Sequence, residues 1–234
     1  MRNLMILLFA SISFISCESI SGNGNVREEE RPLSNIRGIR TSGSIDLVID
    51  SGDSYSLSVQ DDENLLPYLV TEVNGDELSI HYKNGYYIMN DHAKVTVTVP
   101  TLDRIATSGS GDVSTNGVIQ SNNEIDIIKS GPGDIKANLN APFIKVTGSG
   151  SGDIELSGMT KNFDCKISGS GDIKCSNLKS ENAVIHVAGS SNVHVFASVS
   201  LKVNVAGSGD VFYSGNPATP EIHIAGSGTV QAEK

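Results

Sequence analysis

A glycine-rich phrase with a polar hydrogen-bond acceptor at its fourth position recurs along the second half of the chain. Backbone N–H groups of such a loop can cradle a phosphate, and aspartate oxygens are ligands that calcium prefers. A dinucleotide site would need a third glycine and a following helix, and neither is present. A loop used seven times is more typical of architecture than of an active site. The phrases begin at Gly109, Gly131, Gly150, Gly169, Gly189, Gly207 and Gly226.

The fourth position of each phrase forms a column, which we term the aspartate ladder. Stacked neighbours ~4.8 Å apart would repel by ~0.9 kcal/mol in water and ~3.5 kcal/mol at an effective dielectric of about 20. Because neutral Asn192 and Thr229 share the column, hydrogen-bond acceptance is the common requirement, and we predict that the ladder caps turns. Weak cation capture is the alternative. The predicted capping residues are Asp112, Asp134, Asp153, Asp172, Asn192 and Asp210.

The remaining polar residues do not form a catalytic motif. Two coils of stacking would separate His186 from His223 by ~9.6 Å, which is too far for one zinc ion. The nearest candidate for a serine nucleophile elbow, residues 148–152, has glycine at its centre. We therefore predict no catalytic residue, no metal site and no cofactor. The alternative is a polysaccharide-processing enzyme, which would need carboxylates paired at about 5–9 Å.

The phrases recur with a period near 19 residues, which is typical of stacked repeats. On both sides of each phrase apolar and polar residues alternate, as in strands with one buried face. The pattern predicts an all-β fold, a single-stranded parallel β-helix with about 19 residues per coil. Glycine permits the sharp bend at each corner. Pro132 at the second position of one phrase predicts that the N–H there is not required.

A shorter repeat marks the start of the same architecture near the N-terminus. Residues 39–44 reappear as residues 105–110, so a coil begins at about residue 39 and residues 50–100 form a β-rich insert between coils. Asn74-Gly75-Asp76 predicts a hairpin turn inside this insert. The predicted strands of the insert are 55–59, 69–73, 77–82 and 94–99.

Two cysteines of the repeat region, Cys165 and Cys175, fall at inward positions of their predicted strands. A buried cysteine acts mostly as a small apolar residue, so we expect free buried thiols. A disulfide between the two cysteines is the alternative, if the geometry allows one.

The least repetitive stretch of the chain contains three of the six tyrosines within six residues, at Tyr82, Tyr86 and Tyr87. Exposed aromatic side chains beside a glycine would suit contact with a glycan, a lipid or a protein. The three tyrosines are therefore a candidate recognition patch. The alternative is that they cover the open end of the β-helix, whose exposed edges must be protected from aggregation.

The N-terminal residues predict export. Residues 4–15 form an apolar run too short to span a bilayer, which is typical of a secretory signal. The sequence Phe14-Ile15-Ser16-Cys17 resembles a bacterial lipobox. It predicts a lipoprotein signal peptide at 1–16, acylation of Cys17, an anchored segment with the first strand at 17–38, and a β-helix domain at 39–234. An ordinary signal peptide cut nearby is the alternative.

Net charge narrows the class of partner. The formal net charge is −10 at pH 7, and removal of residues 1–16 makes it more negative by one unit because one positive charge is lost. An acidic chain is a poor partner for nucleic acid, so we predict no nucleic-acid binding. Contact with a membrane is expected through the lipid anchor. A glycan, a lipid or a protein of the host or cell surface is the expected kind of ligand. The oligomeric state is not predicted.

Several motifs together resemble the head GIN domain family of autotransporter adhesins. They are residues 22–26, residues 31–33 leading into Ile39, residues 62–68 and the repeated Gly-Ser-Gly-Asp phrases. The resemblance implies a right-handed parallel β-helix and an envelope location, in the outer membrane of a Gram-negative bacterium, since such proteins are common among Bacteroidota, often as lipoproteins. The function that follows is a non-enzymatic adhesin or binding module. A lipid-binding or envelope-stress role is a further alternative.

Overall fold

The computed structural model describes residues 18–233, so the predicted signal peptide and Cys17 lie outside the described residues. No helix of this part is long and apolar enough to cross a membrane. The strands are β1 (Glu18–Ser21), β2 (Val26–Arg31), β3 (Gly38–Gly43), β4 (Asp46–Ser51), β5 (Ser56–Asp62), β6 (Leu69–Asn74), β7 (Glu77–Tyr82), β8 (Tyr86–Met89), β9 (Lys94–Val99), β10 (Arg104–Gly109), β11 (Val113–Asn116), β12 (Ile119–Gln120), β13 (Glu124–Ser130), β14 (Ile135–Gly150), β15 (Ile154–Gly169), β16 (Ile173–Gly189), β17 (Val193–Gly207), β18 (Val211–Ser214), β19 (Glu221–Gly226) and β20 (Val230–Ala232).

The repeat region is a parallel β-helix, as the sequence predicts. Strands that precede the glycine corners stack in parallel from β3 through β10 and β13 into the later parts of β14–β17 and then β19. Strands that follow the corners stack from β4 through β11 into the earlier parts of β14–β17, then β18 and β20. Each coil therefore finds its partners about one repeat away in the chain.

The interior is filled by columns of like side chains. Ile135, Ile154, Ile173, Val193 and Val211 pair in register on consecutive coils, and each is at most 1% exposed. Parallel pairing with alternating side chains places the same kind of residue directly above its counterpart. Burying each such aliphatic side chain contributes about 1.5–3 kcal/mol, so the columns are the main source of stability.

Cys165 and Cys175 lie inside these columns and are fully buried and unbonded to one another. Burial raises the pKa of the Cys175 thiol to about 12 and raises the pKa of Cys165 as well. Because the thiolate is the reactive form, both cysteines are chemically inert in the folded protein.

The insert differs from the sequence prediction in two respects. The four predicted strands form where expected, but β8 is an additional strand, and β7 and β9 also build a coil of their own. β7 pairs in parallel with β3, and β9 pairs in parallel with β4. The coil of β3 and β4 therefore lies between the β7–β9 coil and the β10–β11 coil, out of chain order. Residues 50–100 are thus part of the stack as well as an insertion in the sequence.

Antiparallel strands close the N-terminal end of this stack. β6 pairs with β7, β5 pairs with β9, and β2 pairs with β5, all in antiparallel register. The outer strand β2 has the sequence VREEER, and its side chains are almost all exposed. A charged edge strand resists pairing with other chains. The open end is therefore protected by β2 and β6.

The glycine corners bring the backbone of one coil against the next. A Cβ at Gly169 would lie 2.1 Å from the Gly150 carbonyl oxygen, and one at Gly226 would lie 2.0 Å from that of Gly207. The second residue of the phrase donates its N–H to the same oxygen, as Ser170 does to Gly150 at 3.1 Å. The prediction from Pro132 was therefore wrong for the other coils: that N–H is used, and beside Pro132 the N–H of Gly133 donates to Gly109 instead.

Alanine substitutions at two glycines distinguish the effect of close backbone contact on stability from the effect of a positive φ. We expect Gly169→Ala, which meets the Gly150 carbonyl, to lower the free energy of unfolding by at least about 3 kcal/mol, because a packed coil must shift. Gly75 has a φ of +66° and nothing within 4 Å of an added Cβ, so Gly75→Ala should lower it by only about 1–2 kcal/mol. Urea unfolding measures both, and an equal loss in the two variants would contradict the contact argument.

Candidate functional site

The aspartate ladder caps backbone N–H groups, but those of the next coil. Asp112 Oδ1 accepts from the N–H of Asp134 at 2.8 Å, and Asp134 Oδ1 accepts from that of Asp153 at 2.7 Å. Asp153 Oδ1 accepts from the N–H of Asp172 at 2.9 Å. Asp46 begins the ladder, accepting from the N–H of Asp112 at 3.0 Å. Sequence reasoning missed Asp46, although Gly43-Ser44-Ile45-Asp46 resembles the later phrases.

The later residues of the aspartate ladder use two variations of this hydrogen bond. Asn192 donates its side-chain amide to Asp172 Oδ1 at 3.2 Å. Asp210 Oδ1 accepts from both the N–H and the hydroxyl of Thr229, at 2.7 and 2.8 Å. Among residues 18–233, no cluster of three or more His, Cys, Asp or Glu side chains is arranged to hold a metal ion. The geometry supports hydrogen bonding between coils as the use of these side chains.

Two lysines offset the negative charge of the ladder. Lys174 Nζ lies 2.6 Å from Asp153 Oδ2 and lowers the pKa of that carboxyl. Lys129 approaches from inside the solenoid, where it is 3% exposed and donates to the Gly131 carbonyl at 3.0 Å. Burial lowers the pKa of Lys129, and the nearby ladder aspartates oppose that shift. Gly152 has no side chain, and an added Cβ there would lie 2.7 Å from Lys129 Nζ, so this glycine leaves room for the ammonium group. The remaining gap there is about 10 Å³.

Replacements at Asp134 separate hydrogen-bond acceptance from charge. Asp134→Ala leaves the N–H of Asp153 without its acceptor and should lower the free energy of unfolding by about 1 kcal/mol. Asp134→Asn keeps an acceptor oxygen and should stay within about 0.5 kcal/mol of the parent. Urea unfolding with and without calcium provides the measurement. An equal loss in both variants, or a calcium-dependent gain in the parent alone, would assign the ladder to charge or cation binding.

The three candidate tyrosines do not form one surface. Tyr82 packs against the core and donates its hydroxyl to Asp61 Oδ2 at 2.5 Å, and burial with this carboxylate raises its pKa. The half-buried Tyr86 meets the Tyr68 ring edge-on, with 4.7 Å between ring centroids. Tyr87 is 61% exposed. Neighbours in a strand face opposite sides, so Tyr86 and Tyr87 point apart.

Two buried carboxylates organise the N-terminal end. Asp61 and Asp62 are both fully buried. Asp61 Oδ1 accepts from the N–H of His92 at 3.0 Å. Asp62 accepts from the N–H of Gly24 through Oδ1 and lies 2.8 Å from His92 Nδ1 through Oδ2. The pair therefore ties residues 23–25 and the segment around His92 to the end of β5.

The ion pair of His92 with Asp62 predicts a pH-dependent stability. Asp62 raises the pKa of His92 above 6.5, so the folded state favours the protonated ring. The stabilisation is fully present below about pH 6.5 and is lost as the pH rises through the higher folded-state pKa. Unfolding measured between about pH 5.5 and about pH 8 should show this loss in the parent and in His81→Gln. His92→Gln should remove that part of the pH dependence, and an unchanged slope would contradict the assignment.

A lateral groove of about 620 Å³ crosses several coils at a bend away from the glycine corner. Gln120, Asn140, Met159 and Lys179 lie in register across it. At ~4.8 Å per coil they span ~14 Å. Sequence reasoning missed this groove because its bend carries no repeated phrase. Its lining is Gln120, Ser121, Asn122, Asn140, Ala141, Pro142, Met159, Thr160, Lys161, Lys179, Ser180, Glu181, Phe196 and Ser198.

The chemistry of the groove is mixed polar and apolar. Met159 is 59% exposed. Lys179 Nζ lies 4.2 Å from the centroid of the Phe196 ring and donates to the Ser176 carbonyl at 2.9 Å. Among the described lining residues, Glu181 is the one carboxylate. Amide, hydroxyl and ammonium groups can bind an extended polar chain, whereas glycoside hydrolysis ordinarily needs two carboxylates.

A second concave surface, of about 820 Å³, lies at the N-terminal end between β2 and β6. Both of its arginines already have partners: Arg27 pairs with Glu63 at 2.8 Å. Arg31 pairs with Glu29 at 2.6 Å and donates to the Leu69 carbonyl at 2.6 Å. These contacts hold the capping strands together, so the lateral groove is the stronger candidate for a ligand.

The structure is a β-helix scaffold with a lateral groove. Residues 35–217 match the family described as "Putative auto-transporter adhesin, head GIN domain". The chain therefore belongs to this family, as the sequence motifs indicate. No curated protein matches the chain.

Solved structures agree with this assignment. A "putative adhesin" from Bacteroides fragilis is 22% identical with a TM-score of 0.87, over 92% of this chain and 100% of that one. A "putative lipid binding protein" from Parabacteroides distasonis is 30% identical with a TM-score of 0.70, over 93% and 100%. A "putative adhesin" from Parabacteroides merdae is 21% identical with a TM-score of 0.62, over 93% and 100%. The likenesses below 25% identity support the fold.

Proposed function

We propose that this protein is a cell-envelope lipoprotein, anchored through acylated Cys17, that acts as a non-enzymatic adhesin and binds an extended glycan in the lateral groove. The observation that carries the proposal is the register of Gln120, Asn140, Met159 and Lys179 across four coils. A regular rise of ~4.8 Å presents one contact per coil to a polymer lying along the helix axis. Membership of an adhesin family supports a role at the cell surface or in the envelope.

Two further features favour binding over catalysis. Among the described residues that line the groove, Glu181 is the single carboxylate, whereas glycoside hydrolysis ordinarily uses a pair. The ladder aspartates each accept a backbone or side-chain hydrogen bond from the next coil. Their Oδ1 atoms are occupied by the architecture of the protein, which leaves them poorly suited to acid–base chemistry.

The interior argues against an acyl chain as the ligand. The apolar columns are filled by side chains that are almost completely buried, and the gap beside Lys129 is about 10 Å³. A cavity of this size has room for about one water molecule. The description of the Parabacteroides distasonis relative as a lipid-binding protein therefore has no counterpart in the core of this β-helix.

Binding to a panel of glycans, matrix proteins and lipid vesicles tests the proposal. We expect saturable binding to a glycan, weakened at least about tenfold by Met159→Ser, which removes a central contact of the groove. Val199→Ser is the matched control, because Val199 is 53% exposed and does not line the groove. Unfolding of both variants confirms that they are folded. Binding to no glycan, or equal affinity of the two variants, would overturn the assignment of the groove.

A further inference from the structure

The segment that follows Cys17 is docked on the body of the protein. β1 begins at Glu18 and pairs in parallel with β8, Glu18 opposite Tyr86 and Ser21 opposite Met89. The N–H of Glu18 donates to the Gly85 carbonyl at 3.3 Å, and that of Gly22 donates to the Met89 carbonyl at 2.9 Å. One peptide bond, with a Cα to Cα distance of ~3.8 Å, joins Cys17 to this strand.

Further contacts hold the chain beyond β1. The N–H of Asn23 donates to the Asn64 side chain at 3.1 Å, and that side chain donates to the Ser21 carbonyl at 2.9 Å. Gly24 donates to the buried carboxylate of Asp62. Gly22 approaches so closely that an added Cβ would lie 2.4 Å from the Asn90 carbonyl oxygen. From Glu18 onward the chain is therefore held against the fold by hydrogen bonds.

The two faces of the β1–β8 sheet differ in burial. Ile20, Tyr86 and Ile88 share the inner face and are half-buried, and the exposed Glu18 lies at the end of the same face. The outer face presents Ser19, Ser21, Tyr87 and Met89, which we term the anchor face. Tyr87 is 61% exposed and Met89 is 38% exposed. This face carries no charged side chain, although the chain has a formal net charge of −10.

We propose that the anchor face rests on the surface of the bilayer when Cys17 is acylated, with Tyr87 and Met89 at the level of the lipid headgroups. This inference rests on the anchoring in the proposed function. Tyr87 is paired with Ser19, and the two residue steps from Ser19 back to Cys17 can span at most about 7 Å of extended chain. Tyrosine is enriched at membrane interfaces because its ring is apolar and its hydroxyl is polar.

The topology keeps the glycan groove clear of the membrane. β8 lies between β7 and β9, in the segment that replaces the glycine corner of that coil. The groove lies at a different bend, around Ala141, Thr160 and Ser180. Contact through the anchor face therefore leaves the groove open to a ligand, and the lipid determines which side of the protein faces the membrane.

The absence of tryptophan from the chain allows a single reporter to be introduced. The acylated full chain carrying Tyr87→Trp is reconstituted in phosphatidylcholine vesicles, with Val199→Trp as the control at a remote exposed position. We expect the emission of the first variant to shift to shorter wavelength and to be quenched by lipid brominated near the headgroup. The control should show neither effect.

The outcomes distinguish this inference from the proposed anchoring. If mass spectrometry shows acylated Cys17 but the Tyr87→Trp variant is not quenched by brominated lipid, the anchor face is wrong and the anchor stands. If Cys17 is not acylated, the anchoring fails and this inference fails with it. An emission shift that follows protein concentration, without lipid quenching, would assign the face to a second copy of the chain and overturn the proposal.

Discussion

Direct contact between the backbones of successive glycine corners is the constraint on which the rest of the solenoid depends. Side chains are excluded there, since a Cβ at Gly207 would lie 2.3 Å from the Gly189 carbonyl oxygen. The same oxygen accepts the N–H of Ser208 at 2.9 Å. Because each corner sits directly on the last, the strands on both sides start in the same register, and the apolar columns align.

This contact also explains why acidic residues line an otherwise ordinary β-helix. At each sharp corner one backbone N–H lies outside the hydrogen bonds between strands. The side chain of the aspartate ladder in the neighbouring coil accepts a hydrogen bond from it. Asn192 and Thr229 fit the same column, since acceptors and small donors both satisfy its geometry. The carboxylates that first suggest catalysis or metal binding are therefore hydrogen-bonded within the fold, and the proposed ligand groove lies at the bend that has no repeated phrase.

The N-terminal end is where the chain departs from its repeat. The coil of β7 and β9 exchanges the glycine corner for residues 83–93, which include β8 and receive β1. Buried Asp61 and Asp62 hold this arrangement through His92, Tyr82 and Gly24. Departures from local consistency are expected at functional parts of a protein, and here they surround the point where the predicted lipid anchor joins.

The period of about 19 residues and the alternation within each strand predict the coil, its corner, the inward columns and four strands of the insert. The order in which the coils stack is seen only in the folded protein. The alternation of apolar and polar residues does not specify which strands pair, so the position of β7 and β9 beside β3 and β4 was not predictable. Lys129 is polar yet faces inward, because Gly152 in the next coil leaves space for its ammonium group. The groove and the anchor face are each formed by residues that are far apart in the chain. Such residues meet only through pairing between strands, which the sequence pattern does not specify.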